Sequence, residues 1–415
     1  MSGGWFTTFL NCRLCINGEL VEDQFVVSDE VCNNPVDWKN TQEDWIYWRV
    51  IRQDLEDGII APGFLELQTN GVLGFHFTHF ENEHKYENEL KKVAKYYASQ
   101  GVTGFWGTIP TVSSDNFKKI LPALHPRDFP ESASLLGAHA EGPYLHPSKA
   151  GAHNASLFHA PSSSPISNVY GSDLSSLKLV TIAPELDGSN NLIHELTQSG
   201  IKVSLGHSSA TYNTGLSALS SGATSLTHTL NAMPLLSHRA PTLASLISPT
   251  SPSFPSSTST SSLPNPTPPF YSLIADGHHL HPAIVSLLYR ANPSKCILVT
   301  DSIELAGLDD GVYPGHAQVE GKQVKEGGRV VIEGTDTLIG SCASLQECVR
   351  NLMAYSGCTL AQAVKCATEN VADMMGDKER GRLEEGRRAD FVVLSDEGEV
   401  LQTWVAGVKV WEKGQ

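Results

Sequence analysis

Apolar and polar residues follow two different patterns along the chain, and the change comes near residue 59. Before it, the sequence reads as short strands and turns, and LCINGELVEDQFVV is a hairpin candidate with Asn17-Gly18 as its turn. After it, short continuous apolar runs alternate with helical stretches. The first pattern predicts antiparallel strands, and the second predicts strands that are separated by helices.

Eight apolar runs follow residue 59, and each has the length of a buried strand. They are residues 63–68, 103–109, 135–142, 177–185, 201–207, 224–228, 271–276 and 296–301. Helical stretches at 85–100 and 187–199, closed by Gly101 and Gly200, lie between them. Such alternation indicates a parallel sheet covered on both faces. Eight units predict an α/β fold, a (β/α)8 TIM-type barrel.

Two further amphipathic helices, at about 344–356 and 359–375, precede a tail that returns to strands. Because the chain begins and ends in β-structure, we expect a small β-sandwich-like domain formed by both termini. The predicted division is 1–58 and 381–415 for this β-domain and 59–380 for the barrel.

One segment interrupts the alternation of strands and helices. Residues 248–269, SPTSPSFPSSTSTSSLPNPTPP, are almost wholly Ser, Thr and Pro. A segment of this composition cannot bury apolar area, so we expect a disordered surface insertion. A functional lid is the alternative.

The carboxyl ends of the predicted strands carry polar side chains at seven of eight positions. In a barrel these ends converge on one face, where active sites are built. A single such residue is usually a helix cap or a turn former, but a set of this size predicts a functional site at this face, which we call the mouth of the barrel. The residues are Gln68, Glu141, Glu185, His207, His228, Asp276 and Asp301.

The bulk composition excludes several classes of partner. The 415 residues are 40% hydrophobic and 18% charged, as in ordinary folded proteins, and the net charge is −16. No cluster of Lys and Arg is present, so we expect no nucleic-acid surface, and the acidic balance disfavours anionic membranes. The sequence contains no stretch of about 18 apolar residues, so we expect no transmembrane helix.

The N-terminal sequence and the cysteines favour a cytoplasmic protein. MSGGWFTTFLNCRLCINGEL lacks the basic and apolar regions of a secretory signal. Cys12 and Cys15 form a lone C-x-x-C, which without a second pair nearby is a weak zinc-ribbon or redox signal. We therefore expect reduced cysteines.

His207 and His228 end successive predicted strands and are 21 residues apart. Neighbouring strand ends bring side chains together, and neutral imidazoles suit zinc and related divalent metals. Glu141, at the end of the third strand, can add a carboxylate oxygen, which completes a common catalytic ligand set with a position open for water. The alternative is three unrelated hydrogen-bonded polar residues.

Asp301 favours the catalytic interpretation, because CILVTD is a buried strand that delivers one carboxylate to the mouth. A carboxylate beside a metal-activated water is the usual general base of metal-assisted hydrolysis. The alternative role of Asp301 is a helix N-cap.

Six motifs carry a resemblance to a known family. They resemble, in order and spacing, those of the N-acetylglucosamine-6-phosphate deacetylases of the amidohydrolase superfamily, and the likeness runs from about residue 55 to the tail. The motifs are PGFLELQTNG, HAEGPYLHPSKAGAHN, SLGHSSATY, THTLNAMPLLSHRAP, ADGHHLHP and LVTDS, followed by the family-like tail GRLEEGRRADFVVL.

The resemblance implies residue roles. Glu141, His207 and His228 match the metal ligands, Asp301 matches the catalytic aspartate, and His153, with Ala152, matches a substrate-contacting histidine near the sugar and acetyl group. The residues around the sugar phosphate are matched by Asn231, Ala232, Arg239 and His279. In this family the arginine at that position can reach into the neighbouring subunit's site, which implies a homodimer that binds a phosphorylated amino sugar. The positions implied to contact substrate are Ala152, His153, Asn231, Ala232, Arg239, His279, Leu338, Ile339, Gly340 and Ser341.

Gln68 and Asn70 stand where two-metal members of the superfamily carry His-x-His. They match a variant of the family that keeps one metal, and an amide oxygen is a weak zinc ligand. We therefore expect a vestigial second site and one divalent metal ion per subunit, with zinc as the expected metal.

Three departures from the family pattern concern substrate binding. Thr242 replaces a common Gly, Ile339 replaces a common Ser, and the Ser/Pro insertion falls between Arg239 and His279. None of them touches the predicted metal ligands. Two alternative functions stay open: another amidohydrolase, such as a cyclic-amide hydrolase or an aminoacylase, and a non-catalytic binding protein on this scaffold.

Overall fold

The computed structural model of the protein describes residues 5–28, 49–249, 267–315 and 321–414. The middle of the predicted Ser/Pro insertion, residues 250–266, lies outside the described residues. The first strands are β1 (Trp5–Ile16), β2 (Glu19–Ser28) and β3 (Arg49–Pro62). β1 and β2 form the predicted antiparallel hairpin, whose turn residues Asn17 and Gly18 have φ angles of 51° and 83°.

Ten strands follow in the middle of the chain. They are β4 (Phe64–Thr69), β5 (Gly71–Val72), β6 (Phe75–His76), β7 (Val102–Pro110), β8 (Ser134–Glu141), β9 (Leu177–Ile182), β10 (Lys202–Leu205), β11 (Ser225–Leu226), β12 (Phe270–Ile274) and β13 (Cys296–Val299). Eight of them form one parallel sheet in the order β13-β12-β11-β10-β9-β8-β7-β4. The predicted barrel is thereby confirmed.

The barrel closes where the chain leaves β13 and meets β4. The amide N–H of Asp301 donates to the carbonyl of Gln68 at 2.9 Å, and that of Asn70 donates to Ser302 at 2.7 Å. The Oγ atoms of Thr69 and Ser302 lie 2.8 Å apart. We call this group, residues 66–70 of β4 and its exit together with residues 300–302, the closing seam.

Helices separate the barrel strands, as the alternating pattern predicts. They are α1 (Glu83–Ser99), α2 (Ser114–Ala123), α3 (Ile166–Tyr170), α4 (Ser189–Gln198), α5 (Tyr212–Ser220) and α6 (Pro282–Ala291). α1 shows why: Tyr86, Leu90, Val93 and Tyr97 recur at helical spacing and are buried, and the Asn82 side chain caps its start.

A four-stranded antiparallel sheet follows the barrel strands. It consists of β14 (Gly311–Tyr313), β15 (Gln323–Glu326), β16 (Arg329–Ile332) and β17 (Leu338–Ser341). The amide N–H of Ser341 donates to the carbonyl of Asp301 at 3.2 Å. The sheet is therefore attached to the closing seam.

The helix predicted at 359–375 is wrong as a single element. After α7 (Leu345–Ser356), the chain forms α8 (Leu360–Ala367) and α9 (Glu369–Met375). Thr368, with φ −138° and ψ −85°, is not helical and separates the two. The break lets α9 turn and pack Val371 and Met374 against apolar side chains of the barrel strands.

The tail returns to strands, as predicted, and forms β18 (Phe391–Leu394), β19 (Val400–Val405) and β20 (Val408–Glu412). The described strands of both termini pair in one sheet of order β2-β1-β3-β18-β19-β20. A β-domain from both chain ends is thereby confirmed. Because β3 continues to Pro62, the exact domain limits at residues 58 and 380 stay a prediction.

Candidate active site

The carboxyl ends of the barrel strands place the predicted residues at one mouth. Glu141 is the last residue of β8, and Gln68 lies within β4. His207, His228 and Asp301 each lie two residues beyond their strands, because β10, β11 and β13 end earlier than the apolar runs suggest.

These three residues share an unusual backbone conformation. The φ angles of His207, His228 and Asp301 are 47°, 28° and 49°, although none is glycine. Such left-handed residues cost roughly 1–3 kcal/mol each and persist only where surrounding contacts hold them. At His228 the amide N–H donates to Ser272 Oγ at 2.7 Å. At Asp301 the N–H donates to the Gln68 carbonyl and the carbonyl accepts from the N–H of Ser341.

Glu141, His207 and His228 converge on a single point. Glu141 Oε1 lies 3.1 Å from His207 Nε2 and 2.9 Å from His228 Nε2, and the two imidazole nitrogens are 3.1 Å apart. Among the described residues, this is the one group of three or more His, Cys, Asp or Glu side chains whose ligand atoms all lie within 4.8 Å. The cluster is able to hold a metal ion.

The ligand atoms of this cluster are set by their surroundings. His207 Nδ1 lies 2.8 Å from the carbonyl of Lys149, which only accepts, so Nδ1 carries the proton and Nε2 is left to coordinate. Burial opposes ionisation of Glu141, but hydrogen bonds with His153, His207 and His228 hold its pKa well below the usual value. A carboxylate and an imidazole lone pair therefore meet at the convergence point.

Gln68 and Asn70 reach the same region as hydrogen-bond donors. Gln68 Nε2 lies 3.0 Å from Glu141 Oε1 and 3.3 Å from Asp301 Oδ1, and Asn70 Nδ2 lies 2.9 Å from Asp301 Oδ1. Since an ionised carboxylate only accepts, the amide N–H groups must face these oxygens. N–H groups consequently occupy the side of the site where His-x-His would supply lone pairs.

Asp301 is partly buried beside the metal-ligand cluster. Burial raises the pKa of its carboxyl, and the neighbouring charge of Glu141 raises it further. His228 and the amide of Asn70 act in the opposite direction. A carboxyl group with a raised pKa beside a metal-ligand set is suited to accept and return a proton.

His153 lies on the other side of Glu141, with its Nε2 3.7 Å from Glu141 Oε2 and its side chain 7% exposed. The amide N–H of Thr111 donates to His153 Nδ1 at 3.2 Å, so Nδ1 is the acceptor nitrogen. Burial lowers the pKa of His153, which keeps the ring neutral. Its Nε2 therefore carries the proton and can act as a donor at the mouth.

The other predicted substrate residues lie around this mouth. Asn231 bonds to the His228 carbonyl through its amide N–H at 2.9 Å, and its side-chain nitrogen has no hydrogen-bond partner among the described residues. Ala232 has a φ of 48°. His279 Nδ1 lies 2.7 Å from the buried carboxylate of Asp276, which directs the opposite ring nitrogen outward from this pair.

The segment Leu338–Ser341 is strand β17 and lies directly beside Asp301. A side chain at Gly340 would come within 2.5 Å of Ile303 and 3.2 Å of the Asp301 carbonyl, so only glycine fits this approach. Ile339, a departure from the family pattern, packs with the apolar cluster of Ile303, Leu305 and Val330. Ala152 lies in the loop next to His153.

No hydrogen bond or ion pair among the described residues connects the Arg239 side chain to the other predicted site residues. Arg239 is exposed in the loop before the 3-10 helix at Leu243–Ile247, and no described residue forms an ion pair or side-chain hydrogen bond with it. Thr242, the second departure, has a φ of −117°, an ordinary extended value at which glycine is not required.

Sequence reasoning did not assign roles to Thr111, Lys149, Ser272 and Glu66. Lys149 acts through its backbone carbonyl, and Thr111 acts through its backbone N–H and its hydroxyl, both of which contact His153 Nδ1. Backbone groups leave no signature in a sequence. Ser272 and Glu66 bond to backbone N–H groups of neighbouring strands. Glu66 was visible as a charged residue inside an apolar run, which was the one signal available.

Comparison with known proteins supports one family. The Amidohydrolase family model matches residues 263–410. An N-acetylglucosamine-6-phosphate deacetylase of Danio rerio is 36% identical over 413 residues, which cover 98% of this chain and 97% of the relative. No helix among the described residues is both long and apolar enough to cross a bilayer.

Solved structures agree with this assignment. The N-acetylglucosamine-6-phosphate deacetylase of Thermotoga maritima matches with a TM-score of 0.71 at 30% identity, covering 86% of this chain and 90% of that one. The Pasteurella multocida enzyme of the same name matches with a TM-score of 0.79 at 25% identity, covering 97% and 99%. The chain belongs to the N-acetylglucosamine-6-phosphate deacetylase family of amidohydrolases.

Proposed function

We propose that this protein hydrolyses N-acetylglucosamine 6-phosphate to glucosamine 6-phosphate and acetate in amino-sugar catabolism. The observation that carries the proposal is the convergence of Glu141, His207 and His228 within 3.1 Å of one another, beside the partly buried carboxyl of Asp301. Family membership favours this activity over a cyclic-amide hydrolase or an aminoacylase. The intact cluster disfavours a non-catalytic scaffold.

One divalent ion, which we propose to be zinc, would be held by Glu141, His207 and His228. Two imidazoles and one carboxylate form a common catalytic zinc set with an open position. The amide N–H groups of Gln68 and Asn70 face carboxylate oxygens, which supports a single ion rather than a pair. When bound, such an ion polarises the amide carbonyl and lowers the pKa of a coordinated water.

The chain's own residues then move the protons. Asp301 accepts the proton of the attacking water, and His153, through Nε2–H, donates a hydrogen bond to the acetamide oxygen as negative charge develops there. The same carboxyl of Asp301 returns the proton to the leaving amine, which departs only when protonated. Asn70 keeps Asp301 aimed at the mouth throughout these steps.

The sugar phosphate is bound, in our proposal, by Asn231, Ala232 and His279 of one subunit and by Arg239 of its partner in a homodimer. Ala152 and the segment Leu338–Ser341 complete the substrate contacts. The exposure of Arg239, which has no ion pair among the described residues of its own chain, supports this arrangement, and so does Leu235, which is 81% exposed four residues earlier. The planar guanidinium suits bidentate contact with phosphate.

We also propose a cytoplasmic location, which fits a phosphorylated sugar substrate. The seven described cysteines are all free thiols, as expected in a reducing compartment.

Acetate release from N-acetylglucosamine 6-phosphate, measured beside release from unphosphorylated N-acetylglucosamine, tests the function. We expect a strong preference for the phosphorylated sugar and a loss of at least about 1,000-fold in kcat for D301N, as for removal of an essential acid–base group. Equal rates on both sugars would contradict the substrate assignment, and full activity of D301N would contradict the mechanism.

A further inference from the structure

Glu66 is a fully buried carboxyl group in the closing seam, with 0% of its surface exposed. Among the described residues it has no Lys, Arg or His partner within ion-pair distance. Burying a carboxyl without a compensating cation is unfavourable, and an apolar residue at this place in the strand would have a smaller desolvation penalty. The side chain must therefore do something that an apolar one does not.

The contacts of Glu66 identify that task. Its Oε1 accepts the backbone N–H of Gln68 at 3.2 Å and the backbone N–H of Thr300 at 3.3 Å, whereas its Oε2 has no hydrogen-bond partner among the described residues. One oxygen thus joins the strand that carries Gln68 to the chain segment that carries Asp301. Thr300 is the residue next to Asp301, and Gln68 is the residue whose carbonyl accepts the N–H of Asp301.

Both joined segments depart from regular strand geometry, so regular backbone pairing does not fix their conformation. The pairing of β4 with β7 shifts register between Glu66 and Thr69, which leaves the Gln68 amide outside the regular ladder. On the other side, β13 ends at Val299 and Asp301 is left-handed, with φ 49°. A left-handed aspartate needs its neighbours fixed, and Glu66 fixes the residue before it.

We propose that Glu66 is a positioning residue for Asp301. It does not touch substrate; it holds Thr300 against Gln68 so that the Asp301 carboxyl meets the Nδ2 of Asn70 and faces the Glu141 cluster. This inference rests on the proposed role of Asp301 as the proton acceptor and adds the group that keeps it in place.

Three substitutions of Glu66 test the proposal in the metal-loaded enzyme. E66Q keeps an acceptor oxygen at the same reach and places its amide nitrogen where Oε2 has no bond, so we expect kcat within about threefold of the wild type. E66M has similar length but no oxygen, and E66L is the second variant in case E66M folds poorly. For both variants we expect kcat to fall by at least about 30-fold, because a catalytic group would be displaced. KM and the amount of bound metal should be unchanged.

Two controls separate positioning from simple loss of stability. F117L removes packing from the buried face of α2, a helix that contributes no predicted site residue, and is expected to lower the melting temperature without lowering kcat. In a D301N background, E66M is expected to cause no further loss of the residual rate, because its effect passes through Asp301. Hydrogen exchange in the peptide 296–303 is expected to quicken in E66M and not in F117L.

The outcomes are distinct. If folded, metal-loaded E66M and E66L keep a kcat within threefold of the wild type, or if the E66M and D301N effects multiply, Glu66 does not position Asp301. If the wild type itself releases no acetate from N-acetylglucosamine 6-phosphate, the proposed function fails, and the exchange measurement still decides whether Glu66 holds the segment at Asp301.

Discussion

Asn70 Nδ2 lies 2.9 Å from Asp301 Oδ1, so the side-chain amide that follows the first barrel strand donates to a carboxylate that follows the eighth. Gln68 makes the corresponding bond to Glu141 Oε1 at 3.0 Å. Both contacts put N–H groups where a second cation would need lone pairs. We propose that the pair replaces one metal position by hydrogen bonds that orient the two carboxylates.

The double substitution Q68H/N70H should restore a second metal position, because two imidazoles would then face Glu141 and Asp301. We expect about two zinc ions per chain instead of one, measured by metal analysis after gel filtration. The matched control Q68A/N70A removes the amides without adding ligands and should keep one ion. A single ion in the histidine variant would show that these positions are not equivalent to the His-x-His of two-metal relatives.

Removal of the metal should abolish activity and lower the melting temperature, since an ion that binds only the folded state stabilises it by mass action. We expect a fall of several degrees after chelation and full recovery with one equivalent of zinc. H228N should neither bind nor respond to zinc, whereas H278N, a histidine outside the cluster, should behave as the wild type. An active, metal-free wild type would contradict the proposed chemistry.

H153N should lower kcat by about 100-fold or more, because loss of one donor to a developing oxyanion has an effect of this size. Bound metal should be unchanged, since His153 Nε2 is 3.7 Å from the nearer Glu141 oxygen and is not part of the ligand set. T111V is the matched control: it keeps the backbone N–H that donates to His153 Nδ1 and removes only the hydroxyl. Its kcat should stay within about threefold of the wild type. An unchanged kcat in folded, metal-loaded H153N would contradict the role of the ring.

R239A should raise KM for the phosphorylated sugar by about 10-fold or more and leave the unphosphorylated sugar unaffected, because a charge-assisted contact to phosphate is lost. K119A, at an exposed lysine on α2, is the control for a change of net charge.

Mixing R239A subunits, which are impaired at low substrate concentration, with inactive D301N subunits tests whether Arg239 serves the neighbouring site. A mixed dimer of R239A and D301N has one site that contains both an intact Asp301 and an intact Arg239 if the arginine crosses the interface. We therefore expect activity at low substrate concentration to reappear after exchange of subunits. No recovery, with mixed dimers present by mass, would place Arg239 in the site of its own subunit.

The free energy of unfolding should change with the protonation of Glu66 as the pH rises from about 5 to 9. Burial raises the pKa of Glu66 from 4.5 to about 8, so between these values the folded state keeps a proton that the unfolded state has released. Its contribution is fully present below pH 4.5 and is lost as the pH rises through 8. The free energy of unfolding should therefore fall from pH 5 to pH 9 by up to a few kcal/mol more in the wild type than in E66Q, because each pKa unit corresponds to about 1.4 kcal/mol.

Chemical denaturation of both proteins, loaded with metal at each pH, measures this difference. Parallel pH profiles for the wild type and E66Q would show that Glu66 titrates normally. The comparison cancels the pH dependence of metal binding, which both proteins share.

The barrel and the residues at its mouth were predictable because they depend on local pattern. Apolar runs separated by helices specify parallel strands, and the polar residue at each run's end marks the mouth. The same reasoning merged α8 and α9, since Thr368 is compatible with a helix in the sequence and is excluded from one only by the packing of α9 against the barrel.

Sequence by itself therefore determined the fold class, the family and the group of side chains that meet at the mouth, because strand periodicity and motif order are written in consecutive residues. Tertiary structure alone decided how these side chains act. Three features arise between segments that are far apart in the chain. They are the left-handed backbones of His207, His228 and Asp301, the tautomers set by Lys149 and Thr111, and the hydrogen bonds of Glu66 across the closing seam. No local pattern encodes a hydrogen bond between two distant strands, since its geometry exists only once the barrel has closed.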